Sequence, residues 1–180
     1  MSAGPGRGAG LERLAATLEA GSVAVGRAVS LLTVVMVAAT ALIVVLRYFF
    51  GVGWIWLQET VTWMHAAVFM LAAAYTLARE DHVRVDVFYR EMSPRARARV
   101  DLVGTLVLLL PFCAFLAWTS WDYVAASWRV AEGSRESGGL PALYLLKSVL
   151  VATPVLLALQ GVALAARSTA VLLRGEGDPR

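Results

Sequence analysis

The chain has 180 residues and a formal net charge of +3, with 59% hydrophobic and only 16% charged residues. Soluble domains are close to one half apolar and one quarter charged, so this composition excludes an ordinary soluble globular protein and predicts a protein of the lipid bilayer. The pI near 9.4 reflects arginines placed between apolar segments, and nothing in the sequence points to nucleic-acid binding.

The chain begins with a cytoplasmic or interfacial segment, predicted over residues 1–27. Leu11, Leu14 and Leu18 recur in it at helical spacing, beside Glu12 and Glu19. This pattern is typical of a short helix that lies at the membrane surface. An extension of the first membrane span explains the same spacing equally well.

Residues 28–166 are predicted to form a domain of four transmembrane helices, over about 28–48, 56–78, 100–123 and 145–166. Each run is close to the ~20 residues that cross ~30 Å of hydrocarbon as a helix. A signal peptide is excluded because a long polar stretch precedes the first run. Ser93 and Pro94 are typical of an N-cap and a first-turn proline opening span three. Residues 167–180 form a tail, and the fold class is all-α integral membrane.

The basic residues predict the orientation of these spans. Twelve of the sixteen lie before span one, between spans two and three, or after span four: Arg7, Arg13, Arg27, Arg79, Arg84, Arg90, Arg95, Arg97, Arg99, Arg167, Arg174 and Arg180. Since positively charged loops stay in the cytoplasm, we expect both termini to be cytoplasmic. The six tryptophans fall in or near the halves of spans two and three that are farther from the cytoplasm, as expected of an interfacial aromatic belt.

Glu59 is the strongest candidate for a functional residue, because placing an ionisable group inside a membrane costs free energy. It shares one helical stripe with Trp56 and Trp63, so we expect it to face protein. Arg47 is its nearest available partner along the chain. Proton or ion coupling is one interpretation; a structural pair or a contact with another subunit is the favoured one, because few polar groups accompany it.

Four other residues have simpler interpretations. His65 lies mid-membrane, and the distance to the other histidine makes a shared haem a weak hypothesis. Asp122 and Lys147, near the same ends of spans three and four, are expected to pair or to reach the interface separately. Cys113 is a lone cysteine, expected to be a small core side chain.

The motifs of enzymes do not occur. The sequence contains no phosphate-binding glycine loop, no metal-spaced Cys/His cluster and no nucleophile with a nearby base. We therefore expect no catalytic residue, no metal and no cofactor. Secondary transporters have broken helices and polar groups that meet at the midplane, whereas spans one and three are almost purely apolar. The pattern predicts an accessory membrane subunit and not an enzyme.

A series of short motifs occurs in fixed order over roughly residues 28–165, which is most of the chain. They are RYFFG at 47–51, WLQE at 56–59, AYTL at 74–77, HVRVDVFY at 82–89, SPR at 93–95, DLVG at 101–104, LPFC at 110–113, GGLP at 138–141, LLK at 145–147 and LALQG at 157–161. The series resembles the small permease subunit of TRAP transporters, the DctQ-like family.

The resemblance implies a function. TRAP systems import organic acids across the bacterial inner membrane with a sodium gradient. A periplasmic solute-binding protein captures the solute, and a large permease subunit carries it. The small four-helix subunit would then be a scaffold for the large one, surrounded by membrane lipids, with the large permease and the periplasmic protein as its partners.

The resemblance also implies site residues, as candidates for the subunit interface or for structure: Arg47, Trp56, Glu59, Trp63, His82, Arg84 and Asp86. The loop at 128–141 is a candidate contact for the periplasmic protein, through Arg135 and Glu136, although a solvated loop explains it equally well. The rival class is a membrane anchor or haem-bearing subunit of a respiratory complex. The sequence does not name the solute.

Overall fold

The structure, a computed structural model, describes residues 5–79, 89 and 91–174. Its elements are α1 (Pro5–Phe50), α2 (Ile55–Leu71), α3 (Ala73–Ala78), α4 (Pro94–Gly104), a π-helical turn (Thr105–Leu109), α5 (Leu110–Arg129) and α6 (Leu143–Leu173). This part of the chain is all-helical.

Four helical stretches are long and apolar enough to cross a membrane: Gly8–Phe50, Ile55–Ala78, Pro94–Arg129 and Leu143–Leu173. The predicted fold class, an all-α membrane protein with four transmembrane helices, is therefore confirmed. Each stretch is longer than the span that the sequence predicts, because these helices continue past their apolar runs. The span limits and the orientation of the termini stay predictions.

Helix α1 runs without a break for 46 residues, so the leucine pattern near the N-terminus belongs to an extension of span one and not to a separate surface helix. Gly21 and Gly26 lie inside it, and neither ends it. The first part of α1 packs on the last part of α6, where Ala15, Ala163 and Ala166 form a small core with Leu11 and Leu18 against it.

Helices α1, α2 and α6 contact one another in all three pairs, and α5 joins this group through α6. Helix α6 is central, since it also contacts α3 and α4, whereas α1 and α5 share no extensive contact within the described ranges. We call the end with residues 51–54 and 130–142 the loop end, and the opposite end, where α1 begins and α6 finishes, the terminal end.

The contacts between helices depend on small side chains. The buried apolar residues are mostly alanines: Ala15, Ala74, Ala78, Ala98, Ala163, Ala166 and Ala170. Small residues let helix backbones approach closely, which is how helices associate in lipid. Gly26 shows this most directly, because a Cβ added there would overlap the side chain of Tyr75 in α3.

The third helical stretch contains a local widening. Ser93 caps α4 by accepting a hydrogen bond from the Ala96 N–H at 3.3 Å, with Pro94 in the first turn, as the sequence predicts. The π-helical turn at Thr105–Leu109 comes directly before Pro111. A proline in a helix clashes with the carbonyl four residues earlier and cannot donate to it, so the wider turn accommodates Pro111 while the stretch continues to Arg129.

Candidate functional site: a loop held by two carboxylates

The loop at 130–142 joins α5 to α6 and folds back on itself. The Ser134 N–H donates to the Leu140 carbonyl at 2.8 Å, and the Gly139 N–H donates to the Glu136 carbonyl at 3.0 Å. Gly138 has a φ of 79°, a conformation that glycine adopts at little cost. These contacts close a small ring, and the four residues at its tip, 135–138, are exposed.

Glu59, in the second turn of α2, holds this ring from the side. One carboxylate oxygen accepts a hydrogen bond from the Ser134 hydroxyl, and the other accepts from the Leu140 N–H at 2.6 Å. The two donors lie at opposite ends of the ring, so one carboxylate fixes both. Gly139 permits this approach, since a Cβ there would overlap Ser134 and lie 2.8 Å from the Glu59 Oε2 atom.

The expected pairing of Glu59 with Arg47 is wrong. Both residues are described, and no ion pair joins them: Arg47 is exposed in the last turn of α1, while Glu59 is bonded to neutral donors. The reason is that the 130–142 loop folds over the start of α2 and brings a hydroxyl and a backbone N–H directly to the carboxylate. The expectation that Glu59 faces protein agrees with its half-buried position.

Glu132 is a second carboxylate that fixes the loop, and it acts at the loop's beginning. It accepts hydrogen bonds from the Ser127 hydroxyl of α5 at 2.6 Å and from the Lys147 ammonium of α6. The bonds from Lys147 and Ser127 hold the pKa of Glu132 below its usual range. The Lys147 ammonium also lies over the Tyr123 ring, 4.1 Å from its centroid.

The expected pair of Asp122 and Lys147 is therefore wrong. Lys147 bonds to Glu132, and Asp122 is exposed. The loop places Glu132 immediately beside the first turns of α6, so Lys147 meets that carboxylate before it reaches α5. Neither Glu132 nor Ser134 is predicted from the sequence. The signal that could have found them is the Gly138-Gly139 pair, which allows a loop to turn back toward the helices.

The other candidate residues are spread over the molecule. Arg135 and Glu136 lie at the exposed loop tip. Trp56 is 45% exposed and its ring stacks with Trp54 at 5.9 Å, while Trp63 is half-buried. The remaining three candidates, His82, Arg84 and Asp86, lie outside the described residues.

His65, the residue of the haem hypothesis, is exposed, and its ring stacks on Phe69 with centroids 6.4 Å apart. Among the residues that the structure describes, no three His, Cys, Asp or Glu side chains are grouped as metal ligands would be. The arrangement around Glu59 and Glu132 uses the carboxylate oxygens for internal hydrogen bonds, which suits the positioning of a loop better than the transfer of a proton.

Comparison with known proteins gives the family. Residues 22–170 match the family described as the DctQ component of tripartite ATP-independent periplasmic transporters. No curated protein and no solved structure matches the chain. The match covers all four membrane helices and the loop at 130–142, and it favours a transporter component over the respiratory anchor. DctQ is a family of transporter components and not of enzymes, and this chain, a multi-pass membrane protein, belongs to the DctQ family of TRAP transporters.

Proposed function

We propose that this chain is the scaffold subunit of a tripartite, sodium-driven importer of organic acids in the bacterial inner membrane. It would hold the large permease subunit in the bilayer and would not carry solute itself. The family membership supports the transporter system. The scaffold role depends on the exposed apolar surface of the membrane helices.

The observation that carries the proposal is that the most apolar part of α1 is not buried by the rest of the chain. None of the residues in its most apolar stretch of 18 is buried within the chain. Leu31, Val34 and Val37 are each about two-thirds exposed, and α5 exposes Phe115 and Trp118. Helices α1 and α5 thus each present an exposed apolar surface, and a large membrane subunit can pack on one while lipid covers the other.

The proposed orientation places both termini in the cytoplasm, following the distribution of arginines. The loop end then faces the periplasm, and the tip of the 130–142 loop projects toward the periplasmic solute-binding protein. Arg135 and Glu136 are exposed at that tip and are the proposed contacts. The two carboxylates support this role, because they fix the loop at both ends and leave its tip free.

The proposed interface with the large permease uses residues of the loop end. Arg47 and Trp56 are exposed there, and Trp63 lies two turns further along α2 from Trp56. Glu59 would act through the loop that it holds. His82, Arg84 and Asp86 complete the set as proposals from the family resemblance.

The test is affinity purification of the tagged full chain from its native membrane in mild detergent, with mass spectrometry and an absorption scan of the same eluate. We expect a colourless complex with one large membrane protein. A haem spectrum, or recovery with a redox enzyme, would contradict the proposal.

A variant gives the role of Glu59 its own test. Glu59→Ala is expected to weaken association with the large subunit before it changes solute selectivity, and Gln58→Ala, an exposed neighbour, is the matched control. Intact assembly together with altered selectivity would show that Glu59 acts on the solute and not on the scaffold.

A further inference from the structure

A groove between α5 and α6 opens near the loop end. Its volume is about 450 Å³, and it is lined by Trp121, Val124, Ala125, Trp128, Ser148, Val151 and Ala152. This volume is in the range of small-molecule sites, ~300–1,000 Å³. The Glu59 cluster and the 130–142 loop contribute no residue to this lining.

The single hydroxyl among the lining residues, that of Ser148, already has hydrogen-bond partners within the chain. The Trp128 indole N–H donates to the Ser148 Oγ at 2.8 Å, and that hydroxyl donates to the Tyr144 carbonyl at 2.8 Å. A water needs two to four polar partners to remain in a cavity, and this groove offers none that is free. Its occupant is therefore apolar along the part that lies between the helices.

The groove continues as an apolar track toward the middle of the membrane. Trp118, one turn before Trp121 on α5, is 83% exposed, and Val155, one turn after Val151 on α6, is 46% exposed. Trp121 and Trp128 are themselves 62% and 52% exposed at the groove. Tryptophans of this kind lie at the level of lipid head groups, so the track runs from the head-group region inward, as an acyl chain does.

A basic residue follows the lining residues of α5 and is not itself part of the lining. Arg129 is one helical turn beyond Ala125 on the same side of α5, in the last turn of the helix, and it is exposed. Asp122, on that side too, is seven residues earlier and hence ~10 Å deeper along the axis. Arg129 is therefore the nearest basic residue along α5 to the lining, and a guanidinium binds a phosphate through charge-assisted hydrogen bonds.

From these observations we propose that the α5–α6 groove is a phospholipid site, in which one acyl chain lies between Trp121 and Val151 and the phosphate lies against Arg129. The lipid would fill the open groove, and it would fix the distance between α5 and α6 below the 130–142 loop.

The test compares two neighbouring alanines in the purified full-length chain. Ala125 lines the groove, whereas Ala126 is exposed on α5 and is not part of the lining. Native mass spectrometry measures the phospholipid retained on each variant in mild detergent. We expect Ala125→Phe to lose the lipid and Ala126→Phe to keep it. Equal retention by the two variants would overturn the proposal.

A second measurement does not depend on packing. Phosphatidylglycerol and the uncharged diacylglycerol with the same chains are titrated onto the delipidated protein. We expect Arg129→Gln to weaken phosphatidylglycerol binding about fivefold, the effect of one basic residue at a lipid surface, and to leave diacylglycerol binding unchanged. Arg47→Gln, another exposed arginine at a helix end, is the control. An unchanged phosphatidylglycerol affinity in Arg129→Gln would refute the head-group assignment.

The main alternative occupant is a helix of the large permease subunit, and the same variants distinguish it. If Ala125→Phe releases the large subunit from the native complex while the retained lipid stays constant, the groove is a protein interface and the lipid proposal is wrong. If the lipid is lost while the subunit remains, the phospholipid site stands separately from the proposed scaffold role.

Discussion

Carboxylates link neighbouring segments at both ends of the molecule, but their partners differ between the two ends. At the terminal end, Glu12 of α1 pairs with Arg174, which directly follows α6, and Glu19 of α1 pairs with Arg167 of α6. These pairs connect helices that already pack through alanines. At the loop end, Glu59 accepts from two neutral donors of a segment that has no apolar core of its own. At the terminal end the ion pairs add to apolar packing that is already present. At the loop end the hydrogen bonds of Glu59 hold the loop where apolar packing is absent.

The comparison teaches where stability resides. Exposed ion pairs typically contribute ~0–1 kcal/mol, and the Glu12–Arg174 pair is 43% and 50% exposed. Close packing of small residues is the stronger term in helix association within lipid. We therefore expect substitutions in the small-residue contacts to affect the whole fold, and substitutions of the loop carboxylates to act locally.

The largest effect is expected from a single added methyl group. Gly26→Ala places a Cβ on top of the Tyr75 side chain, and overpacking of this kind costs ~1–3 kcal/mol. Gly21→Ala, in the same helix, meets nothing within 4 Å and should stabilise by ~0.5–1 kcal/mol through helix propensity. Thermal unfolding in detergent measures both, and equal midpoints would show that α1 and α3 are not in close contact.

A local effect is expected from Glu59. Glu59→Gln keeps one oxygen acceptor and Glu59→Ala keeps none, so exchange of the Leu140 amide hydrogen should rise in the order wild type, Gln, Ala. The melting temperature should change much less than in Gly26→Ala. Hydrogen–deuterium exchange of residues 130–142 measures the order, and unchanged protection in Glu59→Ala would mean that the loop holds its own shape.

The pH dependence of the loop should come from Glu132. Because its pKa is lowered in the folded protein by Lys147 and Ser127, its contribution is fully present above the usual pKa of a glutamate and is lost as the pH falls through the lower folded value. Loop protection should therefore stay constant from neutral pH down to about pH 5 and decrease only in stronger acid. Glu132→Gln should remove this acid dependence, and a loop that loosens between pH 7 and 6 would contradict the assignment.

The smallest effect is expected at the terminal ion pairs. Glu12→Gln should lower the unfolding free energy by less than ~1 kcal/mol, and the difference should vanish in high salt because exposed charges are screened. Urea or thermal unfolding at two salt concentrations measures this. A loss as large as that of Gly26→Ala would reverse the ranking of the two ends.

Hydropathy was sufficient to predict the four helices, because lipid requires long apolar runs whatever their neighbours are. Local signals were sufficient for the Ser93 cap and for Cys113, which is 1% exposed. The partners of Glu59 and Lys147 were predicted wrongly, since they depend on how a loop folds in space. The continuity of α1 and the π-helical turn before Pro111 are intermediate in predictability. The leucine spacing and the proline each indicate them locally, but the pattern of apolar spans does not predict them.

Helix α1 has a mechanical consequence. At 1.5 Å per residue its 46 residues reach about 69 Å, more than twice the ~30 Å of hydrocarbon in a bilayer. At the ~20° tilt that is typical of membrane helices, a straight helix of that length extends beyond the hydrocarbon. Glu12 and Glu19 near its start pair with Arg174 and Arg167, so the N-terminal part of α1 and the end of α6 are constrained to move together.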